Sequence, residues 1–294
     1  MPQATQSPRL GETGNNNSPL LSSLIKGLQS LAEGPAYINE LIAYGPNAVP
    51  ALSDLLLNGK PSGIPQPRQW AVEALGGLGA YDTLLSYLRR PFNIGNAVVR
   101  HGEEAVLNTA ARELASCPSE STFEVLLDLL RTRPLPGVIE TIGSYRRSET
   151  APYLLDQLED DICRSAAMEA LQALGDNVRP LLVESGLIQM PPLPDPESAS
   201  SIRRRTSCIQ LLESLDLTNE EITRLMPLLS ENNPDLVIAI AQVLLQTPSF
   251  KDYRSVLFHL KRVQHTLGWW LRYQYRSLVS QIEEKLLNEN TNRL

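Results

Sequence analysis

The chain has 294 residues, a net charge of −7 and a sequence pI near 5.2. Its apolar share of 42% is enough for a folded core, and with aromatics at only 5% that core is carried by Leu and Ala, which favours helix on helix over a sheet. The acidic balance speaks against a general nucleic-acid coat. No window of 18 apolar residues is present, so no membrane-spanning helix is expected.

Residues 1–18 lack a basic stretch followed by an apolar one, so they do not read as a secretory signal. Their polar, Asn- and Pro-containing composition predicts a flexible arm. The three cysteines, Cys117, Cys163 and Cys208, are odd in number and far apart. No two sit at ligand spacing, so neither a disulfide framework nor a zinc site is expected. Each lies in or beside an apolar helical stretch, where a free cysteine behaves as a small core residue. This usage points to a reducing, cytoplasmic setting.

Apolar segments then follow at helical period. VPALSDLLLNG covers 49–59, RQWAVEALGGLG 68–79, YDTLLSYLRR 81–90, LNTAARELASC 107–117 and STFEVLLDLLRTR 121–133. PGVIETIGSY follows at 136–145, APYLLDQLEDD at 151–161, RSAAMEALQALG at 164–175 and VRPLLVESG at 178–186. RTSCIQLLESLD at 205–216 and VIAIAQVLLQT at 237–247 complete the series. The segments at 68–79 and 164–175 share an opening Arg, Ala at the fourth position, Glu-Ala-Leu at the sixth to eighth, and a closing Leu-Gly. Their apolar positions form one helix face, and the final Gly supplies the left-handed residue that stops a helix. Aligned on the eighth position, the copies place Leu75, Leu114, Ile139, Leu171, Leu212 and Leu244 in register, a little over 30 residues apart on average. Pro50, Pro152 and Pro180 stand near the starts of the intervening helices, where a missing N–H is harmless. The expected unit is a helix, a short turn and a second helix, repeated and stacked.

The pattern Arg-x-x-Ala-x-x-Ala-Leu-x-x-Leu-Gly followed by Pro-x-Leu-x-x-Leu-Leu resembles the HEAT repeat, and in particular the short HEAT-like repeat named after phycobilisome lyases. The resemblance runs over roughly residues 35–247. It implies an all-α fold, an armadillo-like α-solenoid wound as a right-handed superhelix of antiparallel helix pairs. The expected organisation is an arm over 1–18, the solenoid over 19–248 and aromatic, basic capping helices over 249–294. The family includes scaffolds, adaptors, inhibitors, DNA glycosylases and bilin lyase subunits, so the resemblance leaves function open.

No nucleophile elbow, Walker loop or dinucleotide-binding motif is present. Gly76, Gly77 and Gly79 lie in and at the end of a helix, not after a strand, and read as packing and capping. His259 and His265 are six apart and miss the helical metal-pair spacing. Glu159, Asp160 and Asp161 lack the spaced ligands of a calcium loop, and Asp161 is expected to cap the following helix. No catalytic residue, metal or cofactor is therefore assigned. The Pro- and Gly-rich stretches at 60–67, 91–99 and 190–200 are read as loops that either connect helices or bind.

Two basic groups remain as candidate partner-binding residues. Arg205 aligns with Arg68 and Arg164 as a repeat residue, which leaves Arg203 and Arg204 as spare cations. The second group is the C-terminal aromatic stretch. Residues 250–294 hold eight Lys or Arg against four Asp or Glu on an otherwise acidic chain. Trp269, Tyr273 and Arg276 share a helix face, with Trp270 and Arg272 beside it. Aromatics interleaved with Arg suit protein interfaces and also base stacking, while large aromatics could equally close the end of the solenoid. The expected function is a non-catalytic adaptor or scaffold whose partner is another protein. The alternatives are a bilin lyase-like subunit and a HEAT-like nucleic-acid binder of the DNA glycosylase type, the latter disfavoured by the acidic body.

Overall fold

The computed structural model describes residues 19–192 and 195–291, and the expected arm over 1–18 lies outside them. Among the described residues there are α-helices, short 3₁₀ turns and no strand. The chain divides into two compact units, residues 1–125 and 126–294. The boundary falls within one helix, Glu120–Thr132.

The first unit contains α1 (Pro19–Leu28), α2 (Gly34–Tyr44), α3 (Val49–Leu57), α4 (Gln66–Gly77), α5 (Tyr81–Leu88) and α6 (Ala97–Glu113). Helix α7 (Glu120–Thr132) begins in it. One row runs α1, α2, α4, α6, each helix packed on the next. The second row is α3 and α5, which pack on each other and on the first row. Leu41, Leu52, Leu56, Leu75, Leu84 and Leu114 are buried between the rows. This two-row stacking is the layering of an α-solenoid.

The second unit repeats it. Its first row is α8 (Pro136–Gly143), α10 (Arg164–Ala173), α12 (Ala199–Leu212) and α14 (Pro234–Gln246). Its second row is α9 (Ala151–Asp156), α11 (Arg179–Leu187) and α13 (Asn219–Leu225). Proline stands in the first two positions of α2, α3, α4, α8, α9, α11 and α14. There its missing N–H costs nothing, which is how a proline-rich sequence stays helical. Cys163 and Cys208 are buried, and burial pushes both thiols up to about 12, where they are inert core groups.

The left-handed residues fix the repeat register. Gly45, Gly79 and Gly175 have φ of 85°, 70° and 61°. The remaining left-handed residue among those described is Arg146, at φ 52°. Gly79 N donates to the Gly76 carbonyl, and Arg146 N donates likewise to the Gly143 carbonyl. Glu140-Thr141-Ile142-Gly143 is therefore the counterpart of Glu73-Ala74-Leu75-Gly76. Ile142, not Ile139, holds the eighth position, which corrects the alignment by one helical turn and evens the spacings on either side. Both isoleucines are fully buried, so apolarity alone could not choose between them. Arg146 is exposed, and a Cβ in this region is strained by roughly 1 kcal/mol. Arg146→Gly is expected to stabilise the protein by about 0.5–1 kcal/mol in a denaturant titration.

One pair of acidic groups in the first unit works against the fold. The Glu113 carboxylate lies over Gly76, where a Cβ would collide with it. Burial raises the pKa of both Glu73 and Glu113, and the Glu73 charge raises Glu113 further. Groups raised in the folded state stabilise it when protonated and lose that stabilisation as pH climbs through the folded value. Glu113→Gln is thus expected to raise the melting temperature by about 1–2 °C at pH 7. The difference should vanish near about pH 4, where both carboxyls are largely protonated.

Candidate protein-binding surface

The C-terminal segment has two faces with opposite character. It comprises α15 (Tyr253–Val263) and α16 (Leu271–Thr291), both packed on α14 and on each other. Leu267, Leu271, Tyr275, Leu278 and Ile282 recur at three- and four-residue steps and are all buried. They are buried together with Tyr253, Val256, Leu260 and Val263 of α15. The contact of the segment with α14 is thus made by aliphatic side chains and Tyr275. The Tyr275 hydroxyl reaches Gln264 Oε1 at 3.1 Å.

The large aromatics point the other way. Trp269 and Tyr273 are each 81% exposed, and Trp270 is 58% exposed. The two indoles meet edge to face, with centroids 6.2 Å apart, a geometry that holds the pair in place. Arg272 and Arg276 are also exposed, and among the described residues they pair with no carboxylate. They flank a shallow cleft of about 320 Å³ that Gln264, His265, Leu267 and Tyr275 complete. Three other cations of the segment are engaged, while Arg254 is exposed. Lys261 lies 3.8 Å from Glu283. Arg262 donates to the Leu229 and Glu231 carbonyls. Lys285 sits 5.0 Å over the Tyr253 ring. Two like charges one helical turn apart with no acid between them are mildly repulsive, and a carboxylate brought to the cleft would relieve this.

Arg203 and Arg204 are not spare cations. Arg203 donates through Nε and Nη2 to the Glu159 carbonyl. Arg204 donates to Glu159 Oε1 at 2.9 Å and to the Ile188 carbonyl at 3.1 Å. The acidic turn at 159–161 consumes their charge, a pairing across 44 residues that local sequence could not reveal. The expected cap moves by one residue as well. Asp160, rather than Asp161, accepts from the backbone N–H of Ile162 and Cys163 at 2.9 and 2.8 Å. Asp161 instead pairs with Arg164 at 2.7 Å.

Arg205 behaves as the repeat residue the alignment predicts. It is 1% exposed and donates to Gly186 O, Glu197 Oε2 and Glu231 Oε1 at 3.0, 2.7 and 2.9 Å. It thereby ties α12 to the loop before it and to the turn before α14. Phe258 of α15, 68% exposed with its ring edge-on to His259, is an aromatic the sequence reading passed over. Its signal was there, since it falls out of phase with Tyr253, Val256, Leu260 and Val263.

No family model matches the chain, and no curated protein matches it. Among solved structures it is similar to the complex of CpcE and CpcF of phycocyanin lyase from Nostoc sp. PCC7120. The identity is 16%, the match covers 96% of this chain and 99% of that one, and the TM-score is 0.31. Among the described residues no helix is long and apolar enough to cross a membrane.

Proposed function

We propose that the chain is a HEAT-like repeat protein that acts as a non-catalytic adaptor in a reducing, cytoplasmic setting. Its partner is a protein surface that combines an apolar pocket with carboxylates. The observation that supports this is the exposed set Trp269, Trp270 and Tyr273 beside Arg272 and Arg276, which pair with no carboxylate among the described residues. Exposing these rings to water without a partner is unfavourable, and α16 does not need them to bury its own apolar face. Trp, Tyr and Arg are also the side chains that dominate binding energy at protein interfaces. The aromatics would anchor in the partner while the two guanidiniums take its carboxylates at the cleft.

The test is capture of the tagged protein from its native cells, with nuclease treatment and both low and high salt. One protein recovered in stoichiometric amount with the wild type, and absent from the Trp269→Ala/Tyr273→Ala variant, is the expected result. An empty capture, or a co-purifying species lost on nuclease treatment, would overturn it.

A further inference from the structure

The cleft beside α16 is lined by hydrogen-bond donors. Its polar lining is Gln264, His265, Arg272, Tyr275 and Arg276, with Leu267 as an apolar wall and no carboxylate among the described residues. Burial and the Glu283 charge raise the pKa of the Tyr275 hydroxyl, so it stays neutral and donates to Gln264 Oε1 at 3.1 Å. That bond takes up the acceptor oxygen of the amide and leaves the two N–H groups of Nε2 as the polar end Gln264 can offer the cleft. His265, exposed on the 3₁₀ turn Gln264–Thr266, adds a ring N–H.

The two guanidiniums bring the charge. Arg272 and Arg276 stand one helical turn apart and line the same cleft. Other arginines of the chain meet an acid as the protein folds. Arg68 is buried against Glu103, Arg179 meets Glu221, and Arg205 lies between Glu197 and Glu231. Arg272 has no such partner among the described residues, and it stands in a first turn that contains no acid, where the helix end already disfavours a cation.

Charge and donor count together select the group that fits. A carboxylate brings one negative charge and two oxygens to two guanidiniums. A phosphomonoester brings about −1.5 to −2 at pH 7 and three strong acceptor oxygens. Four donor side chains around one cleft, Arg272, Arg276, Gln264 and His265, match the phosphomonoester. At about 320 Å³ the cleft is shallow and offers no depth to enclose the ring of a phosphotyrosine, so the side chain that carries the phosphate is a short one. A polyanion fits less well than a single phosphate, because the chain as a whole carries −7 and repels an extended run of like charge.

We infer that this cleft binds a phosphorylated serine or threonine of the partner protein, so that phosphorylation of the partner strengthens its docking beside Trp269 and Tyr273. Carboxylates at the same place give the weaker contact and the phosphate the stronger one. The partner as source of the phosphate rests on the adaptor reading, whereas the site itself does not.

The test uses N-acetyl-O-phosphoserine amide with the whole protein, and the corresponding glutamate and serine compounds as carboxylate and neutral counterparts. Arginine Nε–H resonances are followed by ¹⁵N NMR, the signals of Arg272 and Arg276 being assigned by Arg272→Gln and Arg276→Gln. The phosphoserine compound is expected to shift both signals saturably, with the glutamate compound about tenfold weaker or worse and the serine compound without effect. Each substitution should weaken phosphoserine binding about fivefold or more and leave the melting temperature unchanged, since both side chains are exposed. No saturable shift, a glutamate response within about threefold of the phosphoserine one, or unchanged binding in both variants would overturn the inference. Retention of the wild type, but not of the double variant, on phosphatidylserine vesicles at about 0.15 M salt would overturn it as well and assign the two arginines to a membrane surface. Because the titration needs no partner, it fails or succeeds separately from the capture that tests the adaptor reading.

Discussion

Replacing Arg205 with alanine is expected to destabilise the protein by about 3 kcal/mol and to lower its melting temperature by roughly 6–12 °C. The side chain is sealed in the core of the second unit and joins Glu197 and Glu231 through separate nitrogens. Removing it leaves a cavity, an unmet Gly186 carbonyl and two carboxylates facing each other without their cation. Glu197 is itself held by Ser201, whose hydroxyl donates to Glu197 Oε1 at 2.6 Å and accepts from Met190 N at 2.9 Å, so the loss would spread into the loop before α12. Arg164 stands at the same repeat position and supplies the control. Its pair with Asp161 is 30% and 67% exposed, and Arg164→Ala should cost less than about 1 kcal/mol. Denaturant midpoints measured side by side would decide the point. Equal losses at the two positions would show that burial of Arg205 does not carry the energy assigned to it.

The second large effect separates the two faces of α16. Trp269→Ala combined with Tyr273→Ala should leave the melting temperature within about 1–2 °C of the wild type, since surface changes seldom exceed half a kcal/mol. Partner binding should fall by about 100-fold or more. Ile282→Ala makes the opposite change. That side chain has no exposed area, so its truncation should cost about 2–4 kcal/mol. The affinity of the molecules that remain folded should be unchanged, because Ile282 faces α14 and α15 rather than solvent. If the aromatic double variant melted as low as Ile282→Ala, the exposed rings would be part of the cap and the interface reading would fail.

The sequence came closest where the physics is local. The 3- and 4-residue apolar steps, the prolines opening helices and the glycines closing them act within one or two turns. They sufficed for the all-α fold, for the helix pairs and for Gly79 and Gly175 as left-handed stops. The same locality explains what was misread. Helix α6 starts at Ala97, capped by the Asn96 side chain accepting from Val99 N at 3.1 Å, whereas residues up to 99 read as a loop. Its first turns carry His101, Glu103 and Glu104 and lack the repeat signature, and this hid Glu103, the buried partner of Arg68. Directly after PGVIETIGSY, Arg146 occupies the turn that glycine fills in the clearest copies, and the register slipped by one helical turn.

By itself, then, the sequence determined the class of fold, the repeat unit and the position of Arg205 within it, because each depends on residues a few places apart. Only the tertiary structure decided which charges are spent and which are free. Arg203 and Arg204 meet Glu159 only after α10, α11 and α12 have packed, and among the described residues no acidic group is folded onto Arg272 or Arg276. It likewise decided that Trp269 and Tyr273 face water while Leu271, Tyr275 and Ile282 close the core. A helix pattern gives the angle between two faces, but the neighbour that covers one of them comes from a distant part of the chain.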